Sequence, residues 1–236
     1  VNVARLGIRR RTSADEERRG RAVHLSDTQR TETFSDGVFA IAITLLVLGL
    51  VPPHTPAGGL LDGLVALWPA YVAYVTSFTF IGVIWFNHHQ AFTCVRFVDR
   101  GLHAANLAIL FTTAVLPFPT VVLASTVHAG NLADARTAIT FYALVSSAMC
   151  LSWIGFFWHL QRHDHLVAEE VNCAYFGYET LRYGVAVTLY LVAVVAGWLI
   201  TPVVALAIFT VIPPLAWVTT EDLRGVPAHP RPLLRR

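Results

Sequence analysis

Apolar residues run through this chain in long stretches that contain no Asp, Glu, Lys or Arg: Gly37 to Leu61, Gly63 to Val95, Gly101 to Ala133, Thr137 to Gln161 and Tyr183 to Thr220. Each exceeds the roughly 20 residues an α-helix needs to cross the hydrocarbon of a bilayer. The last has room for two crossings and breaks at Thr201-Pro202, because proline opens a helix more readily than it continues one. The pattern predicts an all-α membrane protein with six transmembrane helices per subunit, over about 28 to 50, 65 to 88, 102 to 124, 136 to 160, 180 to 200 and 203 to 220. Three segments follow: an Arg-rich stretch at 1–27, a transmembrane domain at 28–220 and a tail at 221–236. So little chain lies outside the helices that a separate soluble enzyme domain is not expected.

Charge sets the orientation. Only 14% of the 236 residues are charged, and all 17 basic ones are arginine. Arginines crowd the region from Arg5 to Arg30. Arg96 and Arg100 lie between the second and third spans, Arg162 and Arg182 between the fourth and fifth, and Arg224, Arg231, Arg235 and Arg236 after the sixth, leaving Arg136 alone on the other side. Basic residues in short loops stay cytoplasmic, so a multi-pass protein of the cell membrane with both termini cytoplasmic is expected. The basic N-terminal segment reads as a topology signal that touches anionic lipid rather than as a nucleic-acid arm. It shows no cleavable signal, since the first apolar run is already a full span. Cys94, Cys150 and Cys173 are too scattered to suggest a bridge or a metal site.

The first helix carries the most information. Ser26 and Gln29 form a capping-box pattern and Pro52-Pro53 stops the helix. Turning about 100° per residue from Ile41 brings Arg30, Phe34, Gly37, Thr44, Leu45 and Leu48 to one side, and Glu32, Asp36, Phe39 and Ile43 to the other. One face is therefore an apolar stripe with a single hydroxyl, at Thr44. The other carries the Asp36 carboxylate, which costs about 2.5 to 3.5 kcal/mol to place in hydrocarbon and must face protein or water.

Partners for that carboxylate lie at similar depth on the next two helices. Trp85, His88 and His89 end the second span, and His103 and Asn106 begin the third. Their donors suit an interhelical network of Ser35, Asp36, Trp85, His88 or His89, and Asn106, which satisfies groups that lipid cannot. A His-Asp proton relay or a metal site is the functional alternative. Adjacent histidines point about 100° apart, so His88 and His89 cannot both grip one ion unaided. Weaker signals are His163-Asp-His165, which has two ligands and no third, and Phe176-Gly177-Tyr178, which lacks the rest of a potassium-channel filter loop. Phosphate-cradling, nucleophile-elbow and zinc-protease motifs are missing from the sequence. Pro117 and Pro119 are expected to bend the third helix.

The run Arg30-x-x-x-Phe34-Ser35-Asp36, continued by Gly-Val-Phe-Ala-Ile-Ala-Ile-Thr-Leu-Leu-Val-Leu to Leu48, resembles the signature of the transmembrane protein 175 family, cation channels that include the endolysosomal potassium channel of animals. Trp85, His88-His89, Asn106 and Pro117-Phe118 resemble the family more loosely. The resemblance is to bacterial members with one six-helix repeat. It implies a homotetramer whose pore is lined by the first helix, with no filter loop. It assigns Ile41 to the narrowest apolar constriction, Thr44 to a polar layer tied to potassium preference, and Leu45 and Leu48 to apolar layers beyond.

The expected function is a modestly selective potassium channel, passing potassium, rubidium and caesium and opening at a hydrophobic gate, with no cofactor and no bound metal. Two other readings use the same residues. A proton-coupled transporter would run protons through Asp36 and the histidines, and a metal or haem protein would converge ligands such as His88, His103 and His159.

Overall fold

The computed structural model describes residues 28–168, 171 and 173–219. The predicted segments 1–27 and 221–236, and the Ser26 cap, lie outside the described residues. Helix α1 covers 28–45 and tightens into a 3-10 turn at Leu46–Gly49. The helices that follow are α2 (Leu60–Ala66), α3 (Trp68–Thr93), α4 (Arg100–Val115), α5 (Pro117–Ala129), α6 (Leu132–Arg162), α7 (Cys173–Leu199) and α8 (Pro202–Val218). Thr28–Gly49, Trp68–Thr93, Arg100–Val127, Leu132–Arg162 and Tyr175–Leu199 are long and apolar enough to span a bilayer, while Pro202–Val218 is apolar but shorter. This is a multi-pass, all-helical membrane architecture.

Local chemistry explains where the helices start. Asp99 accepts from the Leu102 backbone N–H and caps α4, Asn131 accepts from Ala133 and Asp134 and caps α6, and Thr201 accepts from Val203 and caps α8. Pro117 occupies the first turn of α5, where its missing N–H costs nothing. The third predicted helix is thus two helices meeting at Leu116. The second predicted helix, 65 to 88, is instead Trp68–Thr93, and the separate α2 before it takes in only residues 65 and 66 of the predicted span. The fifth begins at Cys173 rather than 180, which draws Glu179 and Arg182 into the bundle.

The 31-residue α6 is the spine of the subunit, about 46 Å long at 1.5 Å per residue. It buries Tyr142, Met149, Trp153, Phe156 and Phe157 against its neighbours. Trp153 stacks on Tyr183 of α7 with ring planes 4° apart and centroids 5.3 Å apart. Helices α3 and α5 flank the 3-10 turn that ends α1. Gly49 is required there, since a Cβ would lie 2.5 Å from Val121 Cγ2. Two prolines, Pro213 and Pro214, sit inside α8. Its last turn is held by α7, where Arg182 Nη1 donates to the Ala216 carbonyl at 2.9 Å and the Tyr178 hydroxyl donates to the Thr219 carbonyl at 2.8 Å.

Candidate functional site

Helix α1 divides cleanly into a covered and an uncovered face. Thr28, Thr31, Ser35, Phe39, Ala42 and Leu46 are buried, at spacings of three and four that keep them on one side of a helix. Arg30, Phe34, Gly37, Ile41, Thr44, Leu45 and Leu48 are all exposed. Ile41 is 62% and Leu48 72% exposed despite being aliphatic. A bilayer tolerates such side chains, but this stripe also carries an arginine and a hydroxyl. Thr44 Oγ1 donates to the Ile41 carbonyl at 2.9 Å. That bond uses the hydroxyl's only proton and leaves its lone pairs free on the exposed face.

The buried face is bolted to α3 and α4 by polar bonds. Ser35 Oγ donates to the Thr31 carbonyl at 2.8 Å and accepts from Asn106 Nδ2 at 3.0 Å. Asn106 Oδ1 then faces His88 Nε2 at 2.8 Å. Because Oδ1 only accepts, His88 is held with its proton on Nε2. The ring is wedged against Phe39 of α1, edge-on at 5.1 Å, and stacks on Phe92 at 4.4 Å between centroids. Ser35, His88 and Asn106 are at most 2% exposed. Between transmembrane helices there is no hydrophobic driving force, so van der Waals fit and such bonds hold the helices together.

Two further pairs sit at the edge of this centre. Trp85 Nε1 donates to Asp36 Oδ1 at 2.9 Å, and His89 Nδ1 meets Glu32 Oε1 at 2.8 Å. The structure therefore brings together every residue predicted for the network, but as a buried Thr31–Ser35–Asn106–His88 chain and two separate rim pairs. Asp36 bonds Trp85, and Ser35 carries the link to Asn106. Glu32, on the same face of the first helix as Asp36, is the partner of His89. Arg30 and Phe34 of the signature stand apart on the exposed side, where they line a cleft with Thr31, His103, Asn106 and Leu107.

The histidines proposed as joint metal ligands are directed elsewhere. His88 faces Asn106, and His159 Nε2 meets the Asp99 carboxylate at 3.0 and 3.1 Å. Among the described residues no three His, Cys, Asp or Glu side chains converge on a point that suits a metal ion.

Comparison with known proteins bears on the same segment. The family described as endosomal/lysosomal potassium channel TMEM175 matches residues 30–117. A potassium channel of Streptomyces collinus is 45% identical over 149 residues, which are 63% of this chain and 71% of that relative. A potassium channel of Chamaesiphon minutus is 40% identical over 172 residues, covering 71% of this chain and 83% of the relative. The chain belongs to the TMEM175 family. Its fold agrees with the crystal structure described as a lysosomal potassium-selective channel TMEM175 homolog from Chamaesiphon minutus, with a TM-score of 0.70 and 33% identity over 82% of this chain and 97% of that one. The stretch matched to TMEM175 holds α1, the Trp85–His89 region and Asn106, so the divided helix and its polar bolt lie within the shared part. TMEM175 proteins form a family of ion channels rather than enzymes.

Proposed function

We propose that this protein is a potassium-permeable cation channel in which four copies surround one pore lined by α1. The observation that carries the reading is the uncovered stripe of Ile41, Thr44, Leu45 and Leu48 opposite a face bonded firmly to α3 and α4. The potassium-channel names of the relatives support the same reading. Each subunit would cross the cell membrane six times, Pro202–Val218 supplying the sixth crossing, with both termini cytoplasmic by the arginine distribution. The partners are then the lipid bilayer, the other three subunits and the permeating ions, without nucleic acid or cofactor.

In this arrangement four Ile41 side chains form an apolar ring. Such a ring dries out when narrow and conducts when slightly wider, so a small splaying of α1 opens the pore. Thr44 stands one turn beyond, and its oxygen accepts because its proton is already given to Ile41. A ring of acceptors replaces part of a cation's hydration and rejects anions. Hydroxyls are too few to match a carbonyl filter, so preference for potassium, rubidium and caesium over sodium is modest.

The test is potassium efflux from liposomes into an impermeant external cation, for the wild type, Ile41→Asn and protein-free vesicles. Potassium flux above sodium flux, and higher in Ile41→Asn, is the expected result. An intact oligomer that passes no ion in either form refutes the channel, and equal flux in both forms removes Ile41 as the gate.

A further inference from the structure

Helix α6 has a polar anchor near each end. His159 meets Asp99 at one end, and Arg136, in the second turn of α6, lies about 35 Å before it at 1.5 Å per residue. That distance places Arg136 at the opposite face of a bilayer whose hydrocarbon is about 30 Å thick. Arg136 Nη2 donates to the Trp198 carbonyl at 2.6 Å, one of the carbonyls left open where α7 ends. Its Cζ lies 5.5 Å from the centre of the Trp198 ring. Trp198 Nε1 in turn donates to Thr140 Oγ1 at 3.1 Å, and Thr140 Oγ1 donates to the Arg136 carbonyl at 2.9 Å. The guanidinium is therefore fixed between the first turns of α6 and the last turn of α7. Gly197 lets these helices close up, since a Cβ there would lie 3.1 Å from Ile139 Cδ1 of α6 and 2.9 Å from Ala205 Cβ of α8.

The charge of this arginine has no protein counter-ion. Among the described residues Arg136 forms no salt bridge, and its Nε is buried without an acceptor. Asp134 is two positions away, and residues at that spacing do not face each other on a helix. The surroundings are apolar instead: Leu132, one turn before Arg136, and Trp198, Leu199 and Ile200 at the end of α7 are all exposed. Arg136 is also on the side of the membrane from which basic residues are otherwise missing in this chain. We propose that Arg136, held in place by Trp198, binds the phosphate of a bilayer phospholipid. The proposal rests on the membrane-spanning fold and not on the channel reading.

The chemistry at this position suits that ligand. A guanidinium offers five N–H donors in a planar fork, and the Trp198 carbonyl takes only one of them. A partly buried charge without a counter-charge is costly, and a phosphate at the headgroup level supplies that charge through charge-assisted hydrogen bonds. Tryptophan favours the same level, where its ring meets acyl chains and its N–H meets polar groups. The exposed leucines and isoleucine beside it face acyl chains as well, which a free phosphate ion does not bring, so the ligand is a lipid and not an ion from solution. A bound headgroup pins the ends of α6 and α7 to the membrane surface, at the opposite end of α6 from the Asp99–His159 contact.

The experiment titrates the full-length protein in maltoside detergent with phosphatidylglycerol, or with a galactolipid of the same acyl chains that has no phosphate, and reads bound lipid by native mass spectrometry. Wild type is compared with Arg136→Gln and with Ala133→Glu. Ala133 is exposed and one turn before Arg136, so a glutamate there takes up the guanidinium. An acid in the first turn of a helix also favours the fold, which keeps the test open if Arg136→Gln gives no intact protein. The expected result is phosphatidylglycerol binding about fivefold weaker in each variant than in the wild type, the effect of one arginine at an anionic surface, with galactolipid binding unchanged. Equal phosphatidylglycerol affinity in the wild type and an intact variant overturns the proposal, and so does a wild type that binds both lipids alike. Millimolar inorganic phosphate should not displace the lipid, and displacement would overturn the lipid as the ligand in favour of a free anion. None of these readings needs ion flux, so a protein that conducts nothing refutes the channel and leaves this site to be decided by lipid binding.

Discussion

Asn106 on α4 donates to the Ser35 hydroxyl on α1 across 3.0 Å, and this bond, beside the Trp85–Asp36 and His89–Glu32 pairs, ties a helix with an uncovered apolar face to the body of the subunit. The same asparagine receives His88 Nε2 at 2.8 Å. Both polar atoms of the amide are thus engaged. Asn106→Leu removes the donor to Ser35, whose hydroxyl keeps its bond to the Thr31 carbonyl, and leaves the His88 Nε2–H unpaired. A buried unpaired group costs about 1–3 kcal/mol, although polar contacts between membrane helices average nearer 0.6 kcal/mol. A loss of about 1–3 kcal/mol in a reversible unfolding measurement is expected. In a double-mutant cycle with Ser35→Ala the losses should fall short of additive by about 0.5–1 kcal/mol, and strict additivity would show that the bond carries no coupling.

Thr44 and Asp36 lie on the same helix and should fail in different ways. Thr44 is exposed and its hydroxyl proton is engaged with Ile41, so Thr44→Val removes an acceptor from the proposed pore without disturbing a helix contact. The potassium-to-sodium flux ratio should fall about fivefold, equivalent to about 1 kcal/mol, while oligomer yield stays unchanged. A preserved ratio would remove Thr44 from the selectivity layer.

Asp36 accepts from Trp85 Nε1, and a bond to a charged acceptor is stronger than one to a neutral acceptor by about 1 kcal/mol. Asp36→Asn keeps an oxygen for Trp85 and loses that increment. The expected outcome is a lower yield of intact oligomer on size exclusion in detergent, with the potassium-to-sodium ratio unaltered. A normal oligomer with altered selectivity would place Asp36 in the ion path instead.

These residues were legible in the sequence because each is a polar exception inside an apolar run, and lipid forces such groups to find protein partners. Ser35, Trp85, His88, His89 and Asn106 could be grouped by depth alone. Which atom meets which partner could not be read, since one turn of α3 decides that Trp85 reaches Asp36 while His88 reaches Asn106. The helix pattern was equally plain where charges bracket it and obscure where they do not. Glu179 and Arg182 look like linker residues because they precede the charge-free run that starts at Tyr183, yet α7 starts at Cys173 and makes them an intrahelical pair one turn apart. Their opposite charges at i and i+3, among Tyr175, Phe176 and Tyr178, were the available signal. The break at Leu116 follows from Pro117, which opens α5, and α5 packs beside α3 and α6.

Acid should act on Asp99, the cap of α4. Its carboxyl titrates below the ordinary aspartate value, because the Leu102 N–H and the flanking His159 and His163 outweigh the effect of its partial burial. A depressed folded value means that the folded protein holds this proton less tightly than the unfolded chain. The stabilisation is therefore fully present above the ordinary value of about 3.9 and is lost as pH falls through the lower folded value. Asp99→Asn isolates the charge from the cap, since asparagine caps a helix about as well as aspartate. The variant should unfold at a lower Tm than the wild type at neutral pH, and the gap should close only below about pH 4. A gap that persists unchanged into acid would mean that Asp99 acts through its cap alone, and a gap that closes well above that range would assign the effect to the histidines.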